Sequence, residues 1–375
     1  SVDVINDAVA MKDSTRVQRV IAAGCLVQRH RAKMLEWCPG IDAMIGVFDR
    51  DHIVDAMQET PEQEGRPSWI AANALLAARA RGIEEPRGYF EDDSNRIQLT
   101  PRHWAYLRIS EGCNQNCSFC TIPSIRGKMR SKRVDVIVEE AKQLFASGVF
   151  ELNLIGQDTT SFGYDIDYPE GLVGLLTALN NAVADSGGGG GGWIRLMYAY
   201  PTYFTDEMIE AMARLPHVLP YIDIPLQHAT DSMLTSMRRN VDAKQQSELL
   251  DRLREKIPGV AIRTTLITGF PGETQEDHDA LVSFIQHHKF EAMGVFQYSK
   301  EKGTVAGTME EDESLRVPKE VKALREEELM LAQQEIAFKR AEKAAIDGES
   351  HQILIDESLG KTGEGTLNLY RGRTM

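Results

Sequence analysis

The sequence predicts an α/β protein built on an open, partial TIM barrel of six parallel βα units. A small N-terminal α/β domain precedes it, and a C-terminal helix and a short tail with strand character follow. Three observations predict this. Six short apolar runs of strand character alternate with amphipathic helical patterns between residues 105 and 299, two units short of a closed barrel. The C-terminal ends of all six runs are polar, Gly- or Pro-marked, or thiol-rich, as at the reactive face of a parallel barrel. The length of 375 residues suits two or three domains.

Residues 1–95 read as a small α/β layer. Val17–Cys25 (VQRVIAAGC) is a strand ending in a Gly-Cys turn, His30–Trp37 a helix, Ile41–Val47 a second strand, and Asp51–Met57 the start of another helix. Glu59–Glu64 into Trp69 is a polar, Pro-marked connection. Residues 96–308 carry the barrel. Its strands are expected at Ala105–Ser110, Glu151–Gly156, Ile194–Ala199, Tyr221–Leu226, Ala261–Gly269 and Met293–Ser299. Its helices are expected at Asp135–Ser147, Gly171–Ala184, Thr205–Leu215, Lys244–Lys256 and Thr274–His288. The run Ser186–Gly192 (SGGGGGG) reads as a flexible helix-to-strand linker or a stand-in for other residues. No Lys-Ser/Thr follows it, so a phosphate loop is not indicated. The segment 309–345 is read as a connecting helix, with the long helix itself expected from 319 to 345, and 346–375 holds strand-like ILI and TLNLY around a Gly-rich turn.

The net charge of −14 and pI near 5.2 argue against a large nucleic-acid footprint and suit a basic protein partner. The segment 309–375, with 15 acidic and 10 basic residues, is not a basic RNA-binding module. No apolar run of about 18 residues spans a membrane, and the first residues show no secretory signal; a cytoplasmic location is expected.

The sharpest signal is Cys113-Asn-Gln-Asn-Cys117-Ser-Phe-Cys120, following the strand AYLRIS and Gly112. Thiolates at this spacing converge only on a centre wrapped by a loop. Three are one short of a closed zinc site or an all-cysteine iron–sulfur cluster. The remaining position falls either to a distant ligand or to a small molecule.

The C-x3-C-x2-C spacing with an aromatic before the last Cys resembles the radical S-adenosylmethionine superfamily. Within it, the chain resembles the methylthiotransferases of the RimO type. The matching stretches are CNQNCSFCTIPSIRGKMRSK (113–132), LNLIGQDTTSFG (152–163), IRLMYAYPT (194–202), PLQHATDSMLTSMRR (225–239) and RTTLITGFPGET (263–274). IPSIRGKMRS and GQDTTSFG favour RimO over the tRNA-modifying MiaB type.

The resemblance implies a 4Fe–4S cluster on Cys113, Cys117 and Cys120, with its fourth iron chelated by S-adenosylmethionine. It implies methylthiolation of the β-carbon of an aspartate in small-subunit ribosomal protein twelve. The partners would be that protein or the ribosomal subunit, and an electron donor such as flavodoxin or ferredoxin; tRNA is the less favoured substrate. It also implies that 346–375 is an incomplete TRAM domain, a partial small β-barrel, and that 1–95 holds a second 4Fe–4S cluster in the full-length protein. Cys25, in GCLVQRH, matches one ligand of that second cluster. The other two lack counterparts, because VDVIN is followed by DAVAMKDS where Thr-Cys is expected. Cys38, in EWCPGID, lies off the pattern and reads as packing.

Further roles follow the matched stretches. Phe119 shields the cluster or is a core aromatic. Gly156 and Gln157 face the methionine amino group. Ile267 and Gly269 present backbone to the adenine, with Thr265 replacing the motif's first Gly. Arg195 and Arg263 pair with the cofactor carboxylate or form buried ion pairs. Gln227, with His228, contacts the ribose or caps its strand, and Tyr298 closes the last strand beside the cofactor. The basic run Arg126, Lys128, Arg130, Lys132 and Arg133 is a solvated face or a contact for substrate carboxylate or rRNA. The competing readings are tRNA-adenosine methylthiolation and a non-catalytic Fe–S or zinc scaffold.

Overall fold

A computed structural model describes residues 1–14, 17–50, 53–58, 69–71, 93, 96–185, 191–361 and 367–374. The connection at 59–68 and most of the glycine run, 186–190, lie outside the described residues. The chain divides into two compact units, Ser1–Asp92 with Ile122–Lys128, and Asp93–Thr121 with Met129–Met375.

The first unit contains α1 (Val2–Ala10), β1 (Ile21–Ala23), α2 (Cys25–His30), α3 (Lys33–Trp37), β2 (Ala43–Ile45), α4 (Ile53–Gln58), β3 (Trp69–Ala71) and α5 (Ile122–Arg126). Its strands form a parallel sheet in the order β1-β2-β3. The strands are shorter than the apolar runs that predict them, and α2 starts at Cys25, because Gly24 takes φ 111° and breaks the strand there. Cys38 is fully buried with Ala22, Val27, Met34, Ile41 and Met44, a packing cysteine as expected.

The second unit opens with β4 (Trp104–Arg108), then a short ribbon of β5 (Ser110–Glu111) and β6 (Arg130–Ser131) on either side of the thiol segment. There follow α6 (Val134–Ala146), β7 (Glu151–Ile155), α7 (Gly171–Asp185), β8 (Trp193–Leu196), α8 (Asp206–Arg214), β9 (Val218–Asp223), α9 (Asp231–Ser236), α10 (Ala243–Lys256), β10 (Ala261–Thr268), α11 (Gln275–His288) and β11 (Ala292–Gln297). The helices α12 (Val305–Met309) and α13 (Lys319–Asp347) and the antiparallel hairpin β12 (Ile353–Lys361)–β13 (Asn368–Thr374) complete it. The six barrel strands lie in sequence order, β4-β7-β8-β9-β10-β11, all parallel. The barrel is therefore open between β4 and β11, as six units require.

Alternation along the strands sorts two faces. Leu107, Leu152, Leu154, Ile194, Leu196, Ile222, Ile262 and Leu266 are fully buried in one core with Ile137, Leu175, Ile209, Leu250, Leu281 and Ile285 of the helices. The opposite residues face the lumen. Among them Tyr106 is 45% exposed and Phe296 62%, so the concave side is open and partly aromatic. Caps fix the helices: Asp242 and Thr274 form capping boxes on α10 and α11, and Thr205 accepts from Met208 N. Among the described residues no helix is long and apolar enough to cross a membrane.

Candidate active site

The thiol segment leaves the barrel after β4, at the C-terminal strand ends. Gly112, at φ 79°, makes the turn into it and donates its N–H to Gln157 Oε1 at 2.5 Å. The loop is pinned elsewhere by Gln115 Nε2 to Asp158 Oδ2 at 2.8 Å, Met129 N to Asn114 Oδ1 at 3.1 Å, and Ser118 Oγ to Ser236 O at 2.7 Å. Asp158 in turn accepts from Thr160 Oγ1 and Ser161 Oγ, both at 2.8 Å. Gln157 and Asp158 of the matched GQDTTS stretch thus hold the loop, with Thr160 and Ser161 holding Asp158.

Cys113 is buried, and Cys117 and Cys120 are partly exposed. Burial pushes the Cys113 thiol up to about 12, opposed by the Gln115 amide, 3.4 Å from its sulfur, and reinforced by Asp158 and the other two thiols. Arg239 Nη1 lies 3.5 Å from Cys117 Sγ and stacks 4.2 Å over Tyr200. An amide and a guanidinium directed at sulfur favour thiolate ligands. Among the described residues no group of three His, Cys, Asp or Glu converges on one metal ion.

Phe119 meets Phe270 edge-on at 6.5 Å, and Phe270 meets Tyr298 at 5.2 Å. Ile267, Met233 and Met237 complete this apolar wall. Phe119, between Cys117 and Cys120 in sequence, is thus packed as the core aromatic, one of its two expected roles. Gly156 abuts Ser110, whose Oγ a Cβ at 156 would strike. Gly269, at φ 69°, lies against the buried stem of Lys322, which reaches Tyr298 O at 3.2 Å and Glu310 Oε1 at 2.9 Å. Gln227 holds φ 75° while its backbone bridges Thr265 and Ile267. Ser110 Oγ, Gln227 Oε1 and Tyr298 Oη are buried without a hydrogen-bond partner among the described residues. Buried polar atoms ordinarily find partners, so a polar ligand fits against this end of the barrel.

Two expectations resolve differently. Arg195 is committed to Glu151 at 2.7 Å and to Thr374 O at 3.0 Å, and it stacks 4.4 Å over Tyr221. Glu151 is the first residue of β7, at the strand end away from the thiols, so Arg195 forms the structural ion pair and does not face the cofactor. Arg263 pairs with Asp223 at 2.6 Å but is 41% exposed on the lumen side. The basic run is mostly consumed as well. Lys132 is buried with Glu140 and Asp93, Arg133 pairs with Asp135 at 2.6 Å, and Arg126 donates to Cys25 Sγ at 3.2 Å. Cys25, in the first unit, thus has a cation on its sulfur.

Sequence reading passed over Asp158, Arg239, Asp223, Lys322 and Arg325. The first two lie inside matched stretches, which was the available signal. The last two sit in the first two turns of α13, where only tertiary contact reveals them.

Comparison with known proteins agrees with this geometry. The Radical SAM superfamily model matches residues 107–285. The ribosomal protein uS12 methylthiotransferase RimO of Geobacter sulfurreducens is 38% identical over 100% of this chain and 77% of its own length. That of Anaeromyxobacter sp. is 38% identical over 100% of this chain and 73% of its own. Among solved structures, the radical S-adenosylmethionine methyltransferase TsrM from Kitasatospora setae, with cobalamin and a [4Fe-4S] cluster bound, superposes with TM-score 0.60 at 15% identity. It covers 82% of this chain and 62% of that one, a likeness of fold. With a six-stranded open barrel, a three-thiol loop at its C-terminal end and relatives at this identity along its whole length, the chain belongs to the RimO family of radical S-adenosylmethionine methylthiotransferases.

Proposed function

We propose that this protein is a radical S-adenosylmethionine methylthiotransferase that adds a methylthio group to the β-carbon of an aspartate in ribosomal protein uS12. The observation that carries the reading is the three-cysteine loop at the C-terminal strand ends, together with relatives named for that activity. Cys113, Cys117 and Cys120 would hold a 4Fe–4S cluster. Bound there, the cluster would supply the one-electron reduction that S-adenosylmethionine needs for reductive cleavage of its sulfonium.

This chain's own residues bind, orient and exclude water. Gln157 and Asp158 fix the loop through Gly112 and Gln115. Gly156 and Gln157 border the methionine end, and Ile267 and Gly269 offer main chain to the adenine. Gln227 offers a polar atom to the ribose. Phe119, Phe270 and Tyr298 form the dry wall. Cys25 would be one ligand of a second 4Fe–4S cluster whose other ligands this sequence does not supply. Flavodoxin or ferredoxin would be the reductant. The acidic balance suits the basic surface of a ribosomal protein better than tRNA.

The test is anaerobic reconstitution with S-adenosylmethionine, a reductant and sulfide, followed by mass spectrometry of uS12 and of tRNA. The expected result is 5′-deoxyadenosine together with a mass gain on uS12 equal to replacing H by SCH3. A gain on tRNA alone would overturn the choice of substrate; absence of 5′-deoxyadenosine would overturn the enzyme reading.

A further inference from the structure

The lumen holds a charged group for which the cofactor contacts above have no use. Asp223 Oδ1 accepts from Arg263 Nη1 at 2.6 Å, while Asp223 Oδ2 accepts from the Tyr198 amide at 3.1 Å. Asp223 is buried, so the guanidinium is anchored from one side only. No other hydrogen bond of Arg263 occurs among the described residues, and its side chain is 41% exposed.

The space in front of it is clear. Its register partners on β11 are small: Ala292 lies beside Arg263 and Gly294 beside Thr265, and a Cβ at 294 would meet nothing within 4 Å. Tyr198, also in electrostatic reach of Arg263, stands at φ 58° and is 45% exposed. That left-handed conformation is unfavourable for a tyrosine. It is held by Asp223 on the Tyr198 amide and by Thr159 N–H on the Tyr198 carbonyl at 3.1 Å. The same carboxylate thus fixes both groups at the lumen wall.

Position along β10 separates Arg263 from the residues set against the adenine. Arg263 precedes Ile267 by four residues of β10, about 13 Å toward the strand's start. A methionine carboxylate bound at the thiol loop and an adenine at Ile267 and Gly269 both sit at the strand ends. Arg263 is on the lumen face of a stretch of β10 that precedes those residues, beside the ends of β8 and β9.

We propose that Arg263 receives the side-chain carboxylate of the substrate aspartate, with Tyr198 bordering it, and so sets the preference for aspartate. A guanidinium with one donor tied to Asp223 keeps an open edge for a second, bidentate carboxylate. Holding that carboxylate fixes the adjacent β-carbon. This rests on the function proposed above.

The test compares uS12 with uS12 carrying Asn at the modified aspartate, using the full chain and its Arg263→Gln and Arg263→Lys variants. Wild-type protein should favour aspartate. Arg263→Gln should lower that preference about tenfold or more, and Arg263→Lys, which keeps the charge without the fork, should fall between. The Michaelis constant for S-adenosylmethionine is the separating readout. A tenfold rise there with the aspartate preference intact would assign Arg263 to the cofactor and overturn the proposal. Equal use of both proteins by the wild type would also overturn it. If the wild type modifies neither while still producing 5′-deoxyadenosine, it is the uS12 reading that fails.

Discussion

Arg325 Nη1 lies 2.9 Å from Glu273 Oε1, with both side chains buried. The pair ties the long helix α13 to the GFPGE turn after β10. Glu273 spends its other oxygen on Phe270 N at 3.1 Å, and burial raises its pKa against the pull of Arg325. The turn that presents Gly269 is therefore shaped from outside the barrel.

Arg325→Met removes the counter-charge and leaves a buried carboxylate. We expect a loss of about 3–5 kcal/mol in urea denaturation. Adding Glu273→Gln should restore much of it, because the stranded charge disappears. Additive losses in the double variant would refute the coupling.

Replacing Cys113, Cys117 or Cys120 singly by Ala should reduce cluster iron and its visible absorbance after reconstitution and abolish 5′-deoxyadenosine. Cys38→Ala should lower stability by about 1 kcal/mol through a small cavity and leave iron per chain unchanged. Iron lost on Cys38→Ala would contradict its packing role.

Gly156→Ala should destabilise by about 1–3 kcal/mol through its collision with Ser110 Oγ. Ser110→Gly in the same chain should recover part of the loss. No recovery would place the strain elsewhere.

His228 is fully buried and accepts at Nδ1 from Ala229 N at 2.9 Å and Thr230 N at 3.3 Å. Burial lowers its pKa from 6.5 to about 4. The unfolded chain then binds the proton first as pH falls, so this contribution to stability is present above about 6.5 and lost as pH falls through about 4. The span is worth roughly 3 kcal/mol. His228→Asn, which keeps an acceptor near Nδ1, should flatten the acid limb of stability between pH 7 and 4. An unchanged limb would show that other groups set it.

Local pattern carried most of the fold. Each expected barrel strand and helix lies within a few residues of its place, because period-2 and period-3.6 alternation is written in adjacent residues; the short helices α9 and α12 carry no such signal. The thiol loop was legible for the same reason, its ligands lying within eight positions. Short strands in the first unit were overextended, since apolar runs there continue past Gly24, where the backbone turns.

Arg195 and Arg263 mark the boundary of what the sequence by itself determined. Both are arginines on lumen-facing strand positions, and nothing adjacent distinguishes them. Their partners, Glu151 and Asp223, lie 44 and 40 residues away. Only the closing of β7 against β8 buries the first, and only the small residues of β11 leave the second open. Spacing along the chain determined the strands, helices and thiol triad. Tertiary structure decided which charges are spent on stability and which face the lumen, because burial and pairing of a side chain depend on neighbours that the chain brings back from afar.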